Sequence, residues 1–213
     1  MGKVFADISM SLDGYIAGPN PTLEEPLGKR GEELHEWVVR LSSWRKEHGM
    51  SGGEDGPDND IVKETIANVG AVIMGRQMFS SGSGPWETDP NPDGWWGETP
   101  PFHAPVFILT SHPRQKAMKE GGTSFNFVTD GIKSAFSQAK EAAGDKDISV
   151  AGGAKTIQQA ITAGFLDELQ IHLAPILLGG GTRLLENLGD TKLEKIRVID
   201  SPLVTHLKFQ IKK

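Results

Sequence analysis

Two short stretches combine residue types suited to holding an anion. In the first, Val72-Ile73-Met74-Gly75-Arg76-Gln77-Met78-Phe79, an apolar run ends at a glycine and an arginine opens the next segment. The N–H groups at a helix start favour anions, and a guanidinium adds a fork that matches phosphate. The same residues also read as a plain tight turn with a surface arginine. In the second, Ser149-Val150-Ala151-Gly152-Gly153-Ala154-Lys155-Thr156-Ile157, paired glycines separate a strand pattern from a helix pattern. A pyrophosphate could approach the backbone there, although turn glycines without a ligand share this spacing. This is not the G-x-G-x-x-G fingerprint, and it lies late in the chain rather than after the first strand. The two junctions reinforce each other, because a dinucleotide has two phosphate regions to hold.

Composition narrows the alternatives. The chain has 213 residues, 22 Lys+Arg against 28 Asp+Glu, and a formal net charge of −6, with no basic tract for a nucleic-acid backbone. It has no cysteine, which excludes disulfides, Cys-ligated zinc, iron–sulfur clusters and a thiol nucleophile. No apolar run approaches the roughly 18 residues of a membrane span, and the first residues lack a signal-peptide h-region. The expectation is a cytoplasmic protein with no membrane partner. The 26 glycines bunch at 52–56, 82–84, 152–153 and 179–181, which suggests backbone brought close to a ligand. Asp55, Asp58 and Asp60 near Gly56 lack EF-hand spacing and a terminal Glu, so no metal site is expected.

The elements that must position these junctions follow from periodicity. Residues 4–10 alternate, with Val4, Ala6, Ile8 and Met10 on one face, and a turn follows at Ser11-Leu12-Asp13-Gly14. Leu34, Trp37, Val38, Leu41 and Trp44 predict a helix from Glu32 with one aromatic face. Residues 49–60 read as a mobile loop or flap, followed by a helix at 59–68. Strands are predicted at 71–74, 106–109, 125–128, 148–151 and 169–173. Asp130 is placed to cap a helix at 131–143, and Gly164 to close one at 154–163. Residues 80–105 form one long loop. Two antiparallel strands, 193–199 and 204–212, end the chain, the second burying Leu207, Phe209 and Ile211. Strands alternating with helices, then a hairpin, predict a single α/β domain over 1–213. Its central sheet is mostly parallel and flanked by helices, with a long insertion around 19–60.

Several segments together resemble the dihydrofolate reductase-like superfamily, and within it stand-alone relatives of the reductase half of bacterial bifunctional riboflavin-synthesis enzymes. The marks are Ser11-Leu12-Asp13-Gly14-Tyr15-Ile16-Ala17-Gly18, Met74-Gly75-Arg76, Val150-Ala151-Gly152-Gly153-Ala154, and Asp167-Glu168-Leu169 leading to Pro175-Ile176-Leu177-Leu178-Gly179-Gly180-Gly181. They occur in the family's order across nearly the whole chain. The resemblance implies an NADPH site. Gly75 and Arg76, with Gln77 and Met78, would hold the 2′-phosphate and pyrophosphate edge, and preference for NADPH over NADH rests on Arg76. Thr110, Ser111 and His112 would line the adenosine side, with Arg114 as a second cation. Ala151, Gly152, Gly153, Ala154, Lys155 and Thr156 would cradle the pyrophosphate. Backbone near Ser9 and Ile16 would hold the nicotinamide amide. Met78 departs from the Thr or Ser of many reductases and loses a hydroxyl donor.

Hydride transfer to C=N or C=O needs a proton delivered nearby. Asp13, on the loop expected to reach the nicotinamide, is the candidate acid, although Asp-Gly is also a common turn pair. Glu33 falls near the place where dihydrofolate reductases carry a carboxylate, but Glu32 and Glu33 equally suit a solvated first helical turn. His35 is a substrate contact, a proton donor or a core-edge residue. Trp86, with Trp95 and Trp96, lies in the long loop and either stacks on a flat heterocycle or anchors the loop. The expected activity is NADPH-dependent reduction of a small planar heterocycle, either a ribosylaminopyrimidine or a pteridine. A non-catalytic nucleotide-binding module is the alternative. By analogy with the family, a homodimer is expected.

Overall fold

The computed structural model describes residues 2–212. Its elements in chain order are β1 (Val4–Ser11), β2 (Tyr15–Ala17), a 3-10 turn (Gly31–His35), α1 (Ser42–Glu47), α2 (Pro57–Ile66), β3 (Val69–Gly75), α3 (Arg76–Ser80), β4 (Pro105–Leu109), β5 (Ala117–Met118), β6 (Ser124–Val128), α4 (Ile132–Ala143), β7 (Asp147–Gly152), α5 (Ala154–Thr162), β8 (Glu168–Ala174), β9 (Thr182–Arg183), β10 (Lys192–Asp200) and β11 (Thr205–Lys212). Nine strands form one sheet, ordered β10-β11-β8-β1-β7-β3-β4-β6-β5, and β2 pairs with β9 apart from it. The pairs from β8 through β1, β7, β3 and β4 to β6 are parallel. β11 runs antiparallel to both β8 and β10, which makes the terminal hairpin.

Continuous apolar runs suit strands buried on both faces, and β3 and β4 show how. Ile73 and Phe107 join the cluster under α4 and α5, with Ala135, Phe136, Ala139, Ile157 and Ala160. Their neighbours Val72, Met74, Val106 and Ile108 point to the other face, against Phe79 and Phe125. Of the apolar residues of β11 only Ile211 is fully buried, and Leu207 and Phe209 are partly covered. Among the described residues, no helix is long and apolar enough to cross a membrane.

Three local expectations are corrected. The helix predicted from Glu32 to Trp44 is broken into the 3-10 turn and α1. Leu41 adopts an extended conformation and pairs with Glu54, so the backbone bonds of a continuous helix are spent on that bridge. Leu34, Trp37 and Leu41 still turn inward, as their spacing requires. Residues 49–60 are not a free flap. Arg45 Nε donates to the Ser51 carbonyl (3.0 Å), Ser42 Oγ donates to Asp55 (2.6 Å), and α2 already begins at Pro57. Asp130 does not cap α4. Gly131, at φ 82°, holds the cap position with no side-chain bond, and Asp130 is exposed.

Candidate active site

The carboxyl ends of the parallel strands open into one cleft of about 1240 Å³. Open α/β sheets generally bind ligands at this edge. Both glycine junctions reach it, and they touch. A Cβ on Gly75 would lie 2.6 Å from Thr156 Oγ1, and one on Gly152, whose φ is +136°, would lie 3.2 Å from Met78 Sδ. Gly75 therefore permits a close approach that any side chain would block. Met78, the departure from the family pattern, packs over the second junction. The 106–109 strand adds Thr110 and Ser111, and Ser9, Ile16 and His35 complete the neighbourhood. The structure thus brings Gly75, Arg76, Gln77, Met78, Thr110, Ser111 and Ala151 through Thr156 around one space.

This space fits an extended anion at one place in particular. A Cβ on Gly153 would meet nothing within 4 Å, so the backbone there borders open cleft. The first intrahelical bonds of α5 run from Thr156 and Ile157 to the Gly153 carbonyl. The N–H groups before them are therefore left for a ligand. Lys155, exposed at the same turn, adds a cation.

Arg76 departs from its expected role. Its guanidinium is buried, with Nε donating to Ser80 Oγ (2.9 Å) and Nη2 to the Asp89 carboxylate. Trp86 lies against it, with 3.0 Å from the guanidinium carbon to the ring centre. Burial alone would raise the Asp89 pKa, but the bonds from Arg76, the Asn91 N–H and Ser80 outweigh it and hold the pKa low. Most of the arginine's charge is therefore answered inside the protein, and the 2′-phosphate assignment loses two of its donor arms. Nη1 is buried without a partner, so an oxyanion there would satisfy it.

Four other expectations change. Asp13 does not line the cleft. Its carboxylate accepts bonds from Ser11 Oγ (2.6 Å), the Leu178 N–H (3.1 Å) and the Gly179 N–H (2.7 Å). The Ser11 bond, followed by the two backbone N–H groups, holds its pKa down at about 2 despite some desolvation. A carboxylate so held ties two loops together and is a poor proton donor. Trp86 also lies outside the lining. It donates to the His112 carbonyl (2.9 Å) and meets Phe79 and Phe127 edge-on, so it anchors the long loop rather than stacking on substrate. His112 is absent from the lining and supports Trp86 and Thr110 through its backbone. Arg114, paired with Asp93 and set over Trp86, is likewise committed.

Residues with no motif in the sequence, on three neighbouring strands, build the cleft wall and the layer behind it. Register places Ser9 beside His172 and His172 beside His206, with Asp7 beside Gln170 in the next row on that face. Asp7 Oδ1 meets His172 Nε2, and Asp7 Oδ2 accepts from Thr65 Oγ1 (2.8 Å) and Gln170 Nε2 (2.9 Å). Burial would raise the Asp7 pKa, but His172 beside it and these bonds hold it low. Trp37 packs on both histidines, 4.5 and 5.1 Å between ring centres, and its Nε1 donates to Ser9 Oγ (3.0 Å). Asp7, His35, Trp37 and His172 all line the cleft. Burial pushes the His35 pKa down, and its Nδ1 has no partner. The available signal was Asp7, a lone charge inside an apolar strand pattern, and His172 in the alternating 169–173 strand. Only pairing shows that they meet.

Comparison with known proteins places this geometry. No curated protein matches the sequence. A structure of a protein assigned to riboflavin biosynthesis in Shewanella sp. PV-4 is similar over 100% of both chains, with TM-score 0.64 and 20% identity. The Saccharomyces cerevisiae riboflavin biosynthesis reductase Rib7 is similar over 100% of this chain and 89% of its own, with TM-score 0.53 and 14% identity. Enterococcus faecalis dihydrofolate reductase, solved with NADP(H) and RAB-propyl, is similar over 99% of this chain and 95% of its own, with TM-score 0.50 and 14% identity. These likenesses establish a dihydrofolate reductase-like fold. The model of the RibD C-terminal domain matches residues 2–207, and the chain belongs to that family.

Proposed function

We propose that the protein is an NADPH-dependent reductase of a small planar heterocycle, of the ribosylaminopyrimidine or pteridine kind. The observation that carries this reading is the shared cleft. An anion-binding backbone at Gly153 and a polar, aromatic wall at Asp7, His35, Trp37 and His172 face one space. Its volume, about 1240 Å³, exceeds the roughly 300–1,000 Å³ of a single small-molecule site, leaving room for a cofactor and a second ligand. Family membership and the Rib7 and dihydrofolate reductase likenesses support the same reading.

The Gly152–Thr156 turn and Lys155 would hold the pyrophosphate, and Thr110 and Ser111 would meet the adenosine side. Ser9, near the end of β1, and Ile16, in β2, both line the cleft where the nicotinamide amide would be held. A bound cofactor would supply hydride. The chain supplies the walls: Trp37 presents an indole face beside His172, and His35 lines the same space. A homodimer remains part of the proposal. β10 ends the sheet with Leu193, Ile196 and Val198 exposed, and light scattering on the purified chain tests it.

Titration with NADPH and NADH, read by tryptophan quenching, tests the cofactor, since Trp37 and Trp44 line the cleft. Micromolar binding of NADPH, followed by its oxidation with an aminopyrimidine or a dihydropteridine, is the expected result. Binding without oxidation by either class would favour a non-catalytic nucleotide-binding module.

A further inference from the structure

We propose that Asp7, His172, His206 and Asp58 form a proton-supply chain that loads from solvent at Asp58 and discharges into the cleft at the Asp7–His172 end. This rests on the reductase reading above.

The chain consists of three contacts in line. Asp7 Oδ1 meets His172 Nε2, His172 Nδ1 meets His206 Nδ1 at 2.6 Å, and His206 Nε2 meets Asp58 Oδ1 at 3.0 Å. Each contact needs one proton to be a hydrogen bond. Two neutral imidazoles carry only two, one per ring. With two, either the Nδ1 atoms face each other as bare lone pairs, or a bare nitrogen faces a carboxylate. Both arrangements repel at these distances. A third proton satisfies all three contacts at once, and with it the four groups together carry one negative charge rather than two. Moving each proton along its own bond transfers that charge from one end to the other without rotating a side chain.

The surroundings suit this role. Both rings are only 3% exposed and Trp37 covers them, so water does not short-circuit the middle. The two ends are wetter, with side-chain exposures of 19% at Asp7 and 18% at Asp58. Asp7 lines the cleft, whereas Asp58 lies in the first turn of α2, where Ser201 Oγ donates to it (3.1 Å). The titratable groups facing the rings are Asp7 on β1, His35 on the 3-10 turn and Asp58 on α2. Arg197 of β10 reaches the network through Gln170, and Glu64 pairs with both Arg197 and Lys208.

The chemistry balances. The substrate's C=N or C=O carbon accepts hydride from the reduced nicotinamide, which is oxidised, and the heteroatom takes one proton from the Asp7–His172 end. A proton entering at Asp58 restores the chain once each imidazole has exchanged its proton between Nδ1 and Nε2, which passes the vacancy left beside Asp7 to the Asp58 contact. His206 and Asp58 act through His172 and are positioning residues.

The test uses the full-length His206→Gln and Asp58→Asn variants, with NADPH and 5-amino-6-(5-phosphoribosylamino)uracil as the probe. NADPH quenching within twofold of wild type shows that the cleft is intact. The expected result is kcat lower by roughly 10–100-fold, within or below the range for losing a general acid. KM should stay within about threefold, and the solvent deuterium isotope effect on kcat should rise, as proton delivery becomes limiting. Wild-type kcat and isotope effect in His206→Gln would overturn the proposal and leave the reductase reading standing. If His206→Gln does not fold, Asp58→Asn, at the partly exposed end, decides by the same readings. Wild-type protein that binds NADPH but oxidises none, with this probe or a dihydropteridine, removes both the reductase reading and its proton supply.

Discussion

The guanidinium of Arg76 is paired with the buried Asp89 carboxylate and lies face-on against Trp86. Asp89 in turn accepts from Ser80 Oγ (2.8 Å), so α3 and the long 80–105 loop are joined through one charge pair. Arginine at this junction is thus first a structural residue. Removing it strands a carboxylate whose side chain is 0% exposed.

Arg76→Ala is therefore expected to cost about 3–5 kcal/mol of stability, the range for breaking a buried pair from one side. Urea denaturation measures it. A double variant, Arg76→Leu with Asp89→Leu, should recover much of the loss, because no unpaired charge then remains. A single variant within about 0.5 kcal/mol of wild type would contradict the buried pairing.

Gly75 and Gly153 make opposite predictions. Gly75→Ala puts a Cβ 2.6 Å from Thr156 Oγ1 and should destabilise the fold by roughly 1–3 kcal/mol, as overpacking does. Gly153→Ala points into open space and should leave thermal stability within about 2 °C of wild type. It should nevertheless weaken NADPH binding at least roughly tenfold, about 1.4 kcal/mol, by occupying the pyrophosphate path. Undiminished NADPH affinity in Gly153→Ala would move the cofactor elsewhere.

Lys155→Ala should weaken NADPH and NADH alike, by about 1–3 kcal/mol, the range for a charged hydrogen bond. The lysine stands at the turn that would meet the pyrophosphate, which both cofactors share. Isothermal titration with each cofactor decides, and a loss confined to NADPH would reassign Lys155 to the 2′-phosphate.

Asp13 ties the 11–14 turn to the 176–179 loop, and its pKa is held at about 2, below the ordinary aspartate value of 3.8. The unfolded chain therefore binds more protons between those values, and stability falls as pH drops from about 4 towards 2. Asp13→Asn should flatten that part of the curve of stability against pH. It should leave the slope at neutral pH unchanged. An unaltered acid slope would show that the tie is not made in solution.

The strands of the sheet other than the two-residue β5, the helices α4 and α5 and both glycine junctions were legible in the sequence because their signals are local. Apolar runs bounded by glycine specify where a strand ends, and a 3.6-residue period specifies which helix face is buried. The broken 32–44 segment was not legible, because its aromatic spacing suits a helix and only the bridge between Leu41 and Glu54 interrupts it. Side-chain roles were the least legible. Arg76 reads as a phosphate ligand until Asp89, thirteen residues on, is folded against it, and Asp13 reads as an acid until two distant N–H groups saturate it.

The sequence by itself determined an α/β chain with two glycine-bearing strand–helix junctions, since glycine at such a junction acts through the few residues beside it. Tertiary structure alone decided which side chains face the cleft. Asp7, His172, His206 and Asp58 span 199 positions of numbering between Asp7 and His206, and they meet because β1, β8 and β11 pair in one register while α2 packs beside them. Strand pairing between remote segments is set by the burial of whole faces rather than by any short motif, so a hydrogen-bonded chain built across it has no local signature.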